Sequence, residues 1–348
     1  MSIPTILMIG NHLSTSLHNK NIWHYLAERL SAAGWNVITT SPKENQVARL
    51  FDMLLTIWAR RKEYTLSQID VFSSKAFYFA RLCSFLLKCL NKRIVFTLHG
   101  GGLSEFAQRR PSLLKRVLAR ADVVVTPSIF LQRELTNLHK EIKLIPNPID
   151  YSLANFHLRK CISPNLIWVR AFNHVYNPNL AAKVIKLLKS DFPNINLFMI
   201  GPDTGDGTLP RFKVTISESL IMENIQIVGG KPHTEIPFWL AKADIFINTT
   251  NYDAAPRSIL EAMANGLCVV STNVGGIPFI LENEEEGLLV PPDDPEEMAF
   301  SIRRILLEPG LAEKLSANAH KKAKSFDWSL ILPLWQNLFN DLLNVENE

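Results

Sequence analysis

Short apolar runs bounded by turn residues recur along this chain, and stretches with helical spacing of apolar positions lie between them. In the first half, Ile6–Ile9, Val37–Thr40, Arg93–Leu98, Asp122–Thr126 and Lys143–Ile145 read as strands. Helices are predicted over Asn21–Ala33, which Gly34 stops, and over Val47–Arg61, Ala76–Leu90 and Leu113–Arg120. Pro146-Asn147-Pro148 opens a stiff turn, and no periodicity returns until Pro164, so a domain boundary is predicted there. A second series follows, with strands at Asn165–Val169, Asn196–Ile200, Ile225–Val228, Asp244–Asn248 and Leu267–Val270, and helices after Pro295. Such alternation predicts an α/β fold of parallel sheets covered by helices on both faces. The expected architecture is two Rossmann-like domains, 1–150 and 151–326, with a cleft between them at the strand C-termini.

Composition fits two globular domains: 348 residues, 47% hydrophobic and 20% charged. No apolar run is long enough to span a membrane, and Met1-Ser2-Ile3-Pro4 leads straight into a strand rather than into a signal peptide. Cys83, Cys89, Cys161 and Cys268 show no C-x-x-C spacing, so buried free thiols in a reducing compartment are expected. The nine histidines form no H-E-x-x-H, and no dedicated metal site is expected. Asn248-Thr249-Thr250 matches a glycosylation sequon but ends a strand expected to be buried.

The net charge of +4 is unevenly spread: residues 1–150 hold 20 Lys/Arg against 10 Asp/Glu, and the remainder is acidic. The first half therefore suits an anionic partner, either nucleic acid or an anionic membrane surface. No nucleic-acid-binding motif accompanies the charge, which favours the membrane. Ala76–Leu90 is too short and too charged to span a bilayer. It reads as a buried domain helix or as an interfacial one, with Arg60-Arg61-Lys62 on a neighbouring segment.

The chemistry concentrates in Asn251-Tyr252-Asp253-Ala254-Ala255-Pro256-Arg257-Ser258-Ile259-Leu260-Glu261. A strand precedes this block, and Gly266 leads into another, which makes a βαβ unit with a helix N-terminus at its strand-end crevice. Free N–H groups at such an end favour a phosphate. The carboxylates of Asp253 and Glu261 would repel that phosphate, so sugar hydroxyls are their natural partners. Acidic residues near helix starts are common for dipole reasons alone, so the surrounding residues matter. The same arrangement could serve a dinucleotide enzyme, but neither G-x-G-x-x-G nor G-x-x-x-x-G-K-[ST] occurs.

With its continuation Val269-Val270-Ser271-Thr272-Asn273-Val274-Gly275-Gly276-Ile277-Pro278 and Glu286-Gly287-Leu288-Leu289-Val290-Pro291-Pro292, the block resembles the E-x7-E signature of family 4 glycosyltransferases, in the form where the first Glu is Asp. The resemblance implies the GT-B fold of two facing Rossmann-like domains, with 327–348 packing back on the first. It also implies transfer of a sugar from a nucleotide diphosphate sugar with retention at the anomeric carbon and no bound metal or other cofactor. In this reading Glu261 holds the nucleotide ribose and Asp253 the donor sugar hydroxyls. Arg170, at a strand end, and the helix start at Pro256, Arg257, Ser258 and Ile259 take the diphosphate. Gly229-Gly230-Lys231-Pro232 corresponds to the neighbourhood that cradles the base. His99, before Gly100-Gly101-Gly102, corresponds to a His that points at the transferring sugar; a lone His is otherwise more often structural.

One departure is clear. Relatives follow the Arg with Lys-Gly, and this chain has Tyr176-Asn177 there, which leaves the Tyr176 hydroxyl or His174 as candidate substitutes. The loop after the first strand carries Gly10 and Asn11 where relatives have a Gly-Gly pair at the donor phosphates. Ser14, Thr15 and Ser16 follow, as phosphate or acceptor ligands or as an ordinary helix cap. Glu105 is a candidate acceptor contact or a cap of the next helix. Gly275-Gly276 makes a turn, near the donor or purely structural.

The sequence therefore predicts a glycosyltransferase with a saccharide or lipid-linked acceptor and no nucleic-acid partner. Its expected place is the cytoplasm, peripheral on the inner face of the membrane. A non-catalytic nucleotide-sugar-binding subunit is the main alternative. A 2-epimerase on the same fold is disfavoured by the Asp253–Glu261 block, and a nucleic-acid-binding protein by the missing motifs.

Overall fold

The structure, a computed structural model, describes residues 5–10, 22–73 and 76–344. Asn11, Ser14, Thr15 and Ser16 lie outside the described residues. The chain divides into two compact units, Met1–Pro148 with Trp328–Glu348, and Ile149–Asp327.

The first unit holds strands β1 (Thr5–Ile9), β2 (Asn36–Thr40), β3 (Leu66–Val71), β4 (Arg93–Leu98), β5 (Val123–Thr126) and β6 (Ile142–Leu144). Its helices are α1 (Ile22–Ala32), α2 (Gln46–Ala59), α3 (Ala76–Cys89), α4 (Gly102–Arg109), α5 (Pro111–Leu118) and α6 (Ile129–Leu135). The second unit holds β7 (Asn165–Val169), β8 (Asn196–Ile200), β9 (Ile225–Gly229), β10 (Ile245–Asn248), β11 (Cys268–Thr272) and β12 (Gly287–Val290). Its helices are α7 (Pro178–Leu188), α8 (Thr208–Glu218), α9 (Ile236–Leu240), α10 (Arg257–Ala264), α11 (Pro295–Leu307) and α12 (Leu311–Ala323). The last helix, α13 (Trp328–Asn344), belongs to the first unit, where Trp335 and Phe339 pack with Trp23 and Trp35.

Both sheets are parallel, in the orders β2-β1-β3-β4-β5-β6 and β12-β11-β10-β7-β8-β9. Each order reverses once, between β1 and β3 in one unit and between β7 and β10 in the other. In doubly wound sheets the crevice beyond the strand C-termini at such a reversal is where ligands bind.

The sequence pattern omits β3, because Leu66-Ser67-Gln68-Ile69-Asp70-Val71 contains three polar residues. All six are nevertheless buried. Their polar groups are satisfied internally, as burial requires. Ser67 Oγ donates to the Arg93 carbonyl (2.8 Å), and Gln68 Nε2 donates to Asp70 Oδ1 (2.8 Å) and Thr97 Oγ1 (2.9 Å).

The cysteines correct another expectation: Cys83 and Cys268 are buried, but Cys89 and Cys161 are exposed. Burial pushes the Cys83 and Cys268 thiols up to about 12, which keeps them protonated and unreactive. A thiol-specific reagent at mildly alkaline pH is expected to label Cys89 and Cys161 in the native protein and all four only after denaturation. Rapid native labelling of Cys83 or Cys268 would contradict this packing. Asn248 of the sequon is fully buried, out of reach of a glycan.

Candidate functional site

The reversal in the second unit assembles a polar row across three strand ends. Arg170 follows β7 and donates from Nε to Asn248 Oδ1 at the end of β10 (3.2 Å). Asn248 in turn donates to Ser271 Oγ on β11 (2.9 Å). Arg170 Nη2 also lies 3.1 Å from Asp253 Oδ2, a charge contact whose angle falls outside hydrogen-bond geometry. The two side chains are only 11% and 17% exposed, so the pair is shielded from bulk water.

The loop carrying Asp253 is fixed from two directions. Asp253 Oδ1 accepts from the Ala255 N–H (3.2 Å), and its carbonyl accepts from the Gly276 N–H (2.8 Å). Gly275 has φ +55, and a Cβ there would lie 2.1 Å from the Asp253 carbonyl oxygen. Only glycine permits that approach. Gly275-Gly276 is therefore a clamp on the Asp253 loop as well as a turn.

Helix α10 starts one residue later than the sequence suggests: Pro256 is its extended N-cap, and Arg257 opens the first turn. No side chain caps this end. The Ser258 hydroxyl is buried without a hydrogen-bond partner among the described residues. Ile259, Leu260 and Met263 anchor the helix in the core, which holds its N-terminus in place.

Glu261 follows Arg257 by one turn. Its Oε1 lies 2.8 Å from His233 Nε2 and 3.4 Å from Arg257 Nη2. For the His233 contact to be a hydrogen bond, Nε2 must carry the proton. Arg257 Nη2, 3.4 Å from that same nitrogen, then acts as a charge neighbour and not as a donor to it. Burial pushes the Glu261 carboxyl up, but the His233 hydrogen bond and the charges of Arg257, His233 and Arg170 outweigh it, and the net direction is down. Glu261 is thus ionised at neutral pH, an acceptor for hydroxyl groups. His233 is a candidate site residue, through its contact with Glu261, that the sequence pattern does not single out. The available signal was its position directly after Gly229-Gly230-Lys231-Pro232, at the exit of β9. Gly229 takes φ +81 there, and Lys231 Nζ sits 4.0 Å from Glu235.

The Tyr176-Asn177 departure also resolves into geometry. Asn177 adopts the left-handed conformation (φ 44, ψ 61) that suits glycine, and its side chain caps α7 at Leu180 (3.3 Å). Tyr176 lies with its ring centroid 5.1 Å from the Arg170 guanidinium. Burial raises its phenol, keeping it neutral. His174 is largely exposed and faces Asp206 at 3.3 Å. Neither supplies a second cation beside Arg170. Arg257 is the other arginine whose charge reaches Glu261.

In the first unit His99 directly follows β4 and is buried. It lies between Trp23 (4.7 Å, edge-on) and Phe72 (5.2 Å, stacked). Its Nε2 is 3.6 Å from Asp70 Oδ1, beyond hydrogen-bond distance. Burial raises the Asp70 carboxyl, against the opposing pull of His99 and Gln68. Asp70 is the second residue that sequence reasoning missed. The glycines after His99 allow close approach: a Cβ on Gly102 would meet Ser73 Oγ at 2.8 Å. Gly10 is buried, its N–H bonded to the Thr40 carbonyl (2.9 Å). Glu105 sits in the first turn of α4, exposed and paired with Arg109. It is not the cap of that helix. No group of three or more His, Cys, Asp or Glu is placed to hold a metal ion among the described residues. Nor is any helix among them long and apolar enough to cross a membrane.

Comparisons with known proteins bear on the family and the fold. Residues 162–322 match the model of glycosyl transferases group 1, and residues 20–153 that of glycosyltransferase family 4. A glycogen synthase of Mycobacterium tuberculosis is 25% identical over 242 residues, 67% of this chain and 58% of the synthase. The amylovoran biosynthesis glycosyltransferase AmsK of Erwinia amylovora is 25% identical over 63% of this chain and 56% of its own. The chain thus spans little more than half the length of these relatives. Among solved structures, the sucrose-phosphate synthase of Thermosynechococcus elongatus superposes with a TM-score of 0.80 at 21% identity, over 98% of this chain and all of that one. Anabaena HepE in complex with UDP-glucose superposes with a TM-score of 0.77 at 16% identity, over 98% and 99% of the two chains. The fold is GT-B, and the two family models together cover most of the sequence: the chain belongs to the family 4, group 1 glycosyltransferases.

Proposed function

We propose that the protein is a retaining, metal-independent glycosyltransferase that moves a sugar from a nucleotide diphosphate sugar to a hydroxyl of a saccharide or lipid-linked acceptor. The observation that carries this reading is the convergence of Arg170, Asp253, the uncapped start of α10 and the ionised Glu261 around one sheet reversal. In the free protein Arg170 and Asp253 neutralise each other. An incoming diphosphate competes for the guanidinium, whose fork of donors matches phosphate oxygens, and frees Asp253 for donor sugar hydroxyls. Charge grows on the diphosphate as the sugar leaves, and Arg170 with the α10 N–H groups stabilises it. Glu261 accepts from the ribose hydroxyls, and His233 holds its carboxylate in position. The acceptor role falls to the first unit, where His99 is the candidate sugar contact.

Two solved structures of one similar protein lend support: HepE was solved with UDP and with UDP-glucose. Uridine donors are therefore the first to try in a thermal-shift panel of nucleotide sugars. A donor at a hundred times its Kd stabilises by about 2.7 kcal/mol, a readily measured shift. A panel in which no nucleotide sugar raises the unfolding temperature would contradict the proposal. Tyr176, standing where relatives have Lys, favours one second reading, a binding subunit without catalysis. Tight donor binding with neither transfer nor hydrolysis across a range of acceptors would select it.

A further inference from the structure

We propose that the outward faces of α2 and α3 seat the first unit on an anionic phospholipid bilayer. An ordinary surface helix buries one apolar stripe and turns polar residues outward. Helix α2 buries Met53 and Ile57, yet its outward side carries Val47, Phe51, Leu55 and Trp58, each between 52% and 69% exposed. These positions recur at helical spacing, so they form a second, uncovered apolar stripe. Helix α3 contacts α2 and repeats the theme. Tyr78, Leu82 and Phe85 are exposed along one face, with Arg81 and Lys88 interleaved. No carboxylate occurs in α3, and the only one in α2 is Asp52, which accepts from Thr40 Oγ1 (3.4 Å).

The charge around these stripes selects the occupant. Arg61 lies over the Trp58 ring at 4.4 Å, and Arg120 over the Phe85 ring at 5.5 Å. Arg120 also donates to the Arg81 carbonyl (2.8 Å), which brings two arginines together. Its guanidinium pKa is lowered, first by burial and then by the like charges of Arg81 and Arg116. An anionic surface relieves that crowding. Apolar side chains flanked by arginines, with Trp58 and Tyr78 among them, match the depth profile of a bilayer interface. There the apolar groups enter the acyl boundary while cationic ends stay among the headgroups. The inner faces of the same helices wall a mainly apolar cavity of about 260 Å³ at the β1/β3 reversal, lined by Met53, Ile69, Phe72 and Phe79 together with the charged Arg49 and Asp70. A lipid-linked acceptor drawn from the bilayer would find apolar surface there.

The inference does not depend on the proposed sugar transfer, because vesicle binding needs no nucleotide sugar. It is tested by flotation of the intact protein with vesicles of phosphatidylcholine, with and without phosphatidylglycerol, at low and high salt. The wild type is expected to float with the anionic vesicles, more weakly as salt rises. The double variant Phe51→Asp/Leu55→Asp is expected to lose about tenfold or more in binding, with its thermal unfolding unchanged because both side chains are exposed. Trp58 fluorescence, isolated by comparison with Trp58→Phe, should be quenched by brominated lipid. Three results would each overturn the proposal: no flotation of the wild type with anionic vesicles, equal flotation of the double variant, or self-association that the double variant abolishes in a protein that does not float.

Discussion

Glu261→Ala is expected to lower kcat/KM for the nucleotide sugar about a hundredfold while the protein stays folded. The magnitude follows from hydrogen bonds to a charged acceptor, each contributing about 1.5–3 kcal/mol, where about 2.7 kcal/mol is a factor of a hundred. The fold survives because α10 is anchored by Ile259, Leu260 and Met263, whereas Glu261 turns toward His233 and Arg257. Glu261→Gln keeps the shape without the charge and should fall between wild type and alanine. Stability adds a pH signature. The folded pKa of Glu261 lies below its ordinary value of 4.5. The carboxylate therefore contributes stability above that ordinary value, and the contribution disappears as pH falls through the folded pKa. Wild type and Glu261→Gln should differ in unfolding temperature at neutral pH and converge in acid. Unchanged donor turnover in Glu261→Ala, measured alongside its unfolding temperature, would remove Glu261 from the site.

Arg170→Ala is the larger expected loss, about 10²–10³ in kcat, since its role grows as charge develops on the leaving diphosphate. The two candidate substitutes do not take over: Tyr176 packs against its guanidinium, and His174 faces Asp206. Arg170→Lys should restore little, because an ammonium lacks the planar fork that reaches Asn248 and Asp253 together. The loss should fall on kcat more than on KM. An Arg170→Ala protein with wild-type kcat would sink the phosphate assignment.

The parts of this account that were legible in the sequence are those with local signals. Pro256, the Gly266 stop and the flanking apolar runs delimit α10 and its strands, so the sequence alone places Asp253 and Glu261 relative to a helix start. What was illegible depends on partners distant in sequence. His233 meets Glu261 across 28 positions, and Gln68 meets Thr97 across 29. Strand β3 was hidden because its polar residues resemble a surface segment until those partners are known. Helix α2 was predicted, but periodicity alone cannot say that apolar residues on two sides of one helix include an exposed set. In the sequence the Lys-Gly departure removes a cation and leaves the Tyr176 hydroxyl or His174 as candidate substitutes. Asn177 keeps the backbone geometry expected of glycine, and the lysine's charge is what is gone.

We expect the β7/β10 reversal to hold the nucleotide diphosphate. The most direct test is a crystal structure of the protein with a nucleoside diphosphate or nucleotide sugar. The predicted result has diphosphate oxygens within hydrogen-bond distance of the Arg170 guanidinium and the α10 N-terminus, ribose hydroxyls on Glu261, and the Arg170–Asp253 contact opened. A nucleotide bound elsewhere, with Arg170 still on Asp253 and Glu261 meeting only His233 and Arg257, would contradict it.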